Sequence, residues 1–113
     1  MLRYLSLLLV LIFCSPRSAL LAQTRNATLH GSVTDPTGAV IPGASINIIT
    51  PGGQTITSMT TDASGAYQSR SLAPGTYIVV VNAQGFASSS SQAVILAPGQ
   101  SAQYSVALQI QVE

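Results

Sequence analysis

The chain of 113 residues has no tryptophan and no lysine, one cysteine, one histidine and three acidic residues. Each shortage excludes a class of chemistry. Without lysine no Lys–Asn isopeptide crosslink can form. With Cys14 as the single cysteine, no internal disulfide can staple the fold, so burial of apolar surface must hold it together. A zinc peptidase centre needs two histidines and a carboxylate in one place, whereas His30 is alone and the single glutamate is Glu113. A calcium site needs several acidic ligands close in sequence. Asp35 and Asp62 stand apart, so each reads as the side-chain cap of its own turn. Beyond residue 22 the cationic side chains are Arg25 and Arg70, too few to track phosphates, and nucleic acid is excluded as a partner. A Ser–His–Asp set can still be counted out of His30, Asp35 and some serine. His30 falls on an outward strand position with nothing to orient it, and a solvated histidine is the better account. This inventory calls for no catalytic residue, no metal ligand and no cofactor.

The longest apolar run lies at the N-terminus. Met1 to Tyr4 carries one positive charge at Arg3, Leu5 to Phe13 is apolar except for Ser6, and Ser15 to Ala22 is more polar. This is the layout of a cleavable secretory signal, and the run is too short to cross a bilayer as a helix. Cleavage after Ala22 is expected, with Gln23 as the new N-terminus. A lipoprotein signal would need a small residue before its cysteine. Phe13 precedes Cys14, so the cysteine is read as discarded with the signal. The expected organisation is a signal peptide over 1–22, a polar lead-in over 23–27 and one domain over 28–113. Any contact with a membrane would come through the signal alone.

The rest of the chain alternates short β-branched runs with Gly, Pro and Asp clusters. The runs fall at 28–34, 44–50, 54–61, 66–71, 76–83, 89–96 and 101–111. No helical period appears, and strands at this spacing predict an all-β sandwich or barrel. Period two assigns the faces. Leu29, Gly31 and Val33 share one side of the first strand, Tyr77, Val79 and Val81 one side of the fifth, and Tyr104, Val106, Leu108 and Ile110 one side of the last. The predicted core is Leu29, Val33, Ile46, Ile48, Tyr67, Leu72, Tyr77, Val79, Val81, Val94, Leu96, Tyr104, Val106 and Leu108. Ile56 and Met59 have opposite parity, so the third strand needs a bulge or two buried faces. Ile78 and Val80 must point outward from the fifth strand, where a one-sided strand would carry polar residues. They form a candidate contact face.

Three blocks in order resemble carboxypeptidase regulatory-like domains. Residues 31–44 are similar to the opening block, with Gly31, Asp35, Gly38, Pro42 and Gly43. Residues 61–67 resemble the central D-x-x-G-x-Y turn, through Asp62, Gly65 and Tyr67. Residues 72–77, with Leu72, Pro74, Gly75 and Tyr77, followed by Gly85 and Phe86, resemble the L-x-P-G-x-Y…G-F close. Gly65 would close its turn with positive φ, and Pro74-Gly75 suits a type II turn. The resemblance implies an all-β fold, a seven-stranded antiparallel β-sandwich of the transthyretin-like (prealbumin-like) kind, also grouped with carbohydrate-binding-like folds. It also implies an apolar residue where this chain has Ser69, and so looser packing of that strand. This variant of the pattern resembles the N-terminal extension of Oar-like TonB-dependent outer-membrane receptors, where the domain precedes the TonB box, plug and barrel. The implied role is an exported, non-catalytic spacer or docking module, whose partner is another protein or the rest of such a receptor. The alternative is a stand-alone carbohydrate-binding module. Exposed aromatic rings would separate the two.

Overall fold

The computed structural model describes residues 25–112. The expected signal peptide, the start of the lead-in and Glu113 lie outside them. All nine elements are strands: β1 (Thr28–Thr34), β2 (Ser45–Ile49), β3 (Thr55–Thr60), β4 (Ala66–Gln68), β5 (Gly75–Asn82), β6 (Ser89–Ser90), β7 (Val94–Leu96), β8 (Ser101–Gln103) and β9 (Val106–Ala107). They form two sheets. In one, β1 lies between β4 on one side and β8 followed by β9 on the other. In the second the order is β3-β2-β5, with β6 and then β7 beside β5.

The all-β sandwich is as the sequence predicts, but the strand count and one set of directions differ. The sixth and seventh predicted runs are each interrupted, so seven runs become nine strands. β8 and β9 run parallel to β1, whereas every pair was expected to be antiparallel. A parallel pair needs a long crossover, and here almost the whole domain lies between the partners. The turn at 97–100 passes the chain from β7, in the second sheet, to β8, in the first.

The alternation places the core correctly. Leu29 and Val33 of β1, Ile46 and Ile48 of β2, and Val79 and Val81 of β5 are completely buried, with Tyr67, Leu72, Tyr77, Leu96 and Leu108 nearly so. Val94, Tyr104 and Val106 are half-buried and pack against this cluster. Ile110 departs from expectation at 62% exposure. Beyond Leu108 the chain leaves the β1 ladder and makes a single bridge to Phe86. The parity conflict in β3 is resolved by a bulge. Ile48 faces Thr57 and Ile49 faces Thr55, leaving Ile56 without a partner. Both Ile56 and Met59 then reach the core from the same strand.

Four hydroxyls explain how the ladders survive their interruptions. A buried backbone N–H without an acceptor costs about 1–3 kcal/mol. At each break a side-chain oxygen takes that N–H. Thr61 Oγ1 accepts from Ala44 N at 2.9 Å, Ser69 Oγ from Leu29 N at 2.9 Å, Ser91 Oγ from Val79 N at 2.9 Å and Ser105 Oγ from Ser32 N at 3.1 Å. Three of these hydroxyls donate onward to carbonyls, Thr61 to Ile41, Ser69 to Arg70 and Ser91 to Gln92. Ser69 is therefore not a packing fault. It is buried, and it continues the β1 ladder one residue past the end of β4.

Candidate functional site

The motif residues fall into two groups with different jobs. The first is a pair of near-identical turns, Asp35-Pro36-Thr37-Gly38 and Asp62-Ala63-Ser64-Gly65. Asp35 Oδ1 accepts from Thr37 N (2.8 Å), Thr37 Oγ1 (2.7 Å) and Ala39 N (3.0 Å). Asp62 Oδ1 accepts from Ser64 N (2.9 Å), Ser64 Oγ (2.7 Å) and Ala66 N (3.0 Å). The hydroxyl bond, from Thr37 in one turn and Ser64 in the other, is the main reason each carboxyl is held below its ordinary pKa. Both acids act on their own backbone, as turn caps do. Gly65 takes φ +76° with Val40 and the Val33 carbonyl packed against its α-carbon, so the second turn seats on the chain that leaves the first. Pro42 and Gly43 form the exposed turn into β2.

The second group places two tyrosines. Tyr77 and Tyr67 are buried, and their hydroxyls donate to the carbonyls of Ala73 and Tyr104, each at 2.5 Å. Gly75 is already strand, at φ 157°, so Pro74-Gly75 is a bend into β5 and not a type II turn. Leu72 is buried and bridges Ala27. Gly85 lies in the turn before Phe86, which is half-buried against the core. His30 Nδ1 lies 3.4 Å from Ser101 Oγ, far along the sheet from the Asp35 carboxyl, which is engaged in its own turn.

Burial pushes the Tyr67 hydroxyl well above the ordinary tyrosine value of 10.0, and the neighbouring Tyr104 adds to the shift. The folded pKa lies above the unfolded one. The associated stability is thus complete below about pH 10 and falls as pH rises beyond it. Tyr67→Phe is expected to cost about 1–3 kcal/mol at neutral pH, because the Tyr104 carbonyl loses its donor. The same change should flatten the alkaline fall in stability. Urea unfolding at pH 7 and pH 11 reads both effects, and an unchanged alkaline slope would exclude Tyr67 as its source.

The outer face of the second sheet carries the candidate contact residues. Ile78 and Val80 are half-buried there, as β5 alternation requires. The register sets Ile49 beside Ile78, Asn47 beside Val80, and Ser90 on the other side of Val80. On β7, Ile95 pairs with Thr76 and is 71% exposed. Ile49, Ile78, Val80 and Ile95 thus share one face, bordered by Asn47, Ser58, Thr76 and Ser90, with no charged side chain among them. Among the described residues no group of three or more His, Cys, Asp or Glu gathers as metal ligands.

The profile of the carboxypeptidase regulatory-like domain matches residues 28–109, β1 through the end of the last ladder. The chain belongs to this family. No curated protein matches it. Solved structures match the fold of this carboxypeptidase regulatory-like domain at low identity. A putative carbohydrate binding protein from Bacteroides uniformis shares 20% identity at a TM-score of 0.59, over 74% of this chain and 41% of that one. The group B streptococcus pilus 2b backbone protein shares 23% at 0.64, over 76% and 42%. Catechol 1,2 dioxygenase from Acinetobacter radioresistens shares 11% at 0.65, over 86% and 56%. The chain spans well under two thirds of each, and at these identities the likeness is one of fold.

In the carboxypeptidase regulatory-like domain the Asp35 and Asp62 turns meet at Gly65, the Pro42-Gly43 turn bonds to Thr61, and Pro74-Gly75 and Gly85 lie at opposite ends of β5. Their common task is to shape the sandwich. Alternation on β2 and β7 turns Ile49 and Ile95 outward, and the strand register brings them onto the face of Ile78 and Val80.

Proposed function

We propose that the domain is an exported, non-catalytic accessory module, released after residue 22, that serves as a spacer or docking domain of a TonB-dependent outer-membrane receptor. The observation that carries this reading is the uncharged apolar face of Ile49, Ile78, Val80 and Ile95 on a sandwich whose motif residues are spent on turns and packing. Contiguous apolar surface of this kind marks contact sites. The resemblance of residues 31–44, 61–67 and 72–86 to the receptor extensions supports the location. Among the described residues no helix is long and apolar enough to cross a membrane.

The carbohydrate-binding alternative draws on the fold shared with the Bacteroides uniformis carbohydrate binding protein. It needs exposed rings on which a sugar can stack. Tyr67 and Tyr77 are buried, and Phe86 and Tyr104 are half-buried against the core. These four rings therefore offer a sugar no fully exposed stacking platform.

Export of the chain in a Gram-negative host tests the reading. Mass spectrometry is expected to find Gln23 or a near neighbour as first residue, and the protein should co-fractionate with the outer membrane. Ile78→Thr with Val80→Thr keeps strand propensity and removes apolar area. The folded double variant is expected to lose most of its outer-membrane retention. Unchanged retention would rule out this face, and an intact Met1 chain in the cytoplasm would rule out export.

A further inference from the structure

Among the described residues strand β3 is one free edge of the second sheet, and past its bulge it lacks the other usual protections of an edge. Natural edges are shortened, charged, interrupted by proline or covered. The six residues Thr55–Thr60 contain no charge and no proline. One bulge, at Ile56, distorts the strand near its start.

The backbone directions along this edge follow from the hydrogen bonds at its end. Thr61 N donates to the Ala44 carbonyl, and the Thr61 carbonyl accepts from Gly43 N, so both polar groups of Thr61 face β2. Alternation turns those of Met59 toward β2 and those of Ser58 and Thr60 outward. Ser58 and Thr60 thus offer two N–H and two C=O groups to a further strand.

We propose that β3 pairs antiparallel with β3 of a second copy of this chain, across a two-fold axis at Met59. In that register Ser58 of each copy faces Thr60 of the other, and each such pair exchanges two backbone hydrogen bonds. The two Met59 residues face each other, and their side chains, already packed on the core, extend it across the axis. Charge complementarity selects a second copy as the occupant. The same register sets Ile56 opposite Asp62 of the other copy. Arg70 already lies at Ile56, its guanidinium donating to the Ile56 carbonyl at 3.2 Å. Arg70 of each copy therefore stands level with Asp62 of the other, twice by symmetry, while the strands themselves carry no charge to repel. An isologous contact of this type closes on itself.

The test uses the 1–113 chain with Cys14→Ser, so that any disulfide must come from an introduced cysteine. Sedimentation at 1–200 µM protein is expected to show a monomer–dimer equilibrium. Met59→Cys should give a disulfide-linked dimer under mild oxidation, because facing residues at a dyad without direct backbone bonds lie closest. Arg70→Glu, a change at an exposed side chain, should weaken the dimer at least 10-fold by setting like charges opposite. A monomer throughout the range overturns the proposal. So does a dimer that neither crosslinks at position 59 nor responds to Arg70→Glu. Ile78→Thr with Val80→Thr is expected to leave the dimer intact, and loss of the dimer in that variant would assign it to the outer face instead.

Discussion

Gly31→Ala is expected to lower the free energy of unfolding by roughly 3 kcal/mol or more, the upper end of overpacking costs. Gly31 is not a positive-φ glycine, so the cost is steric and not torsional. A β-carbon there would lie 1.7 Å from the Tyr104 carbonyl oxygen, 2.6 Å from its carbon and 3.0 Å from Tyr67 Cε1. The neighbours cannot simply retreat. Tyr104 N donates to the His30 carbonyl at 2.8 Å, and Ser105 Oγ holds Ser32 N, so β1 is tied to this segment on both sides of the contact. The Tyr104 carbonyl is also the acceptor of the Tyr67 hydroxyl. The missing side chain thus makes room for a buried ring and the bond that anchors it. Gly38→Ala is the useful comparison. Gly38 has φ +92° with open space around its α-carbon, so that variant carries only a backbone penalty of about 1–2 kcal/mol. Urea unfolding that ranks Gly38→Ala as the more damaging change would show that the close approach at Gly31 does not limit stability.

The two glycines also illustrate what could be read from residues in order. Gly38 and Gly65 follow an aspartate by three residues, a spacing that names the turn. Gly31 sits inside a strand, where its parity with Leu29 and Val33 suggested a place on the inner side but not the carbonyl pressed against it. That carbonyl belongs to Tyr104, more than 70 residues later in the chain. Local alternation carries burial information because each strand has one inner face, and it found Leu29, Val33, Ile46, Ile48, Val79 and Val81 without tertiary knowledge. It failed where a side chain replaces a backbone acceptor. Ser91 and Ser105 fall inside the runs 89–96 and 101–111, where alternation marks no break, yet each keeps a ladder bonded across one. The same limit applies to the contact face. Ile78 and Val80 follow from β5 alone, whereas Ile49 and Ile95 join them only once register is known.

Ile48→Ala is expected to cost about 2–4 kcal/mol, from lost transfer energy and the cavity left behind. Ile48 is completely buried and lies in β2, which is paired on both sides, with Thr57 on β3 and Val79 on β5. Neighbours fixed by two ladders can collapse little into a vacated volume, which places the site toward the costly end for its size. Val79→Ala, its ladder partner and equally buried, removes fewer atoms and should cost less. The two residues touch one space, so the double variant should depart from the sum of the singles. Ile95 supplies the control. It is the same residue type on β7 with most of its surface in water, and Ile95→Ala should change stability by no more than about 0.5 kcal/mol. Denaturant unfolding of the three single variants reads the assignment of faces directly. Wild-type-like midpoints for Ile48→Ala and Val79→Ala together with a large loss at Ile95→Ala would invert the second sheet. The inner rows of β2 and β5 would then be the solvent side, and the outer face would be the core.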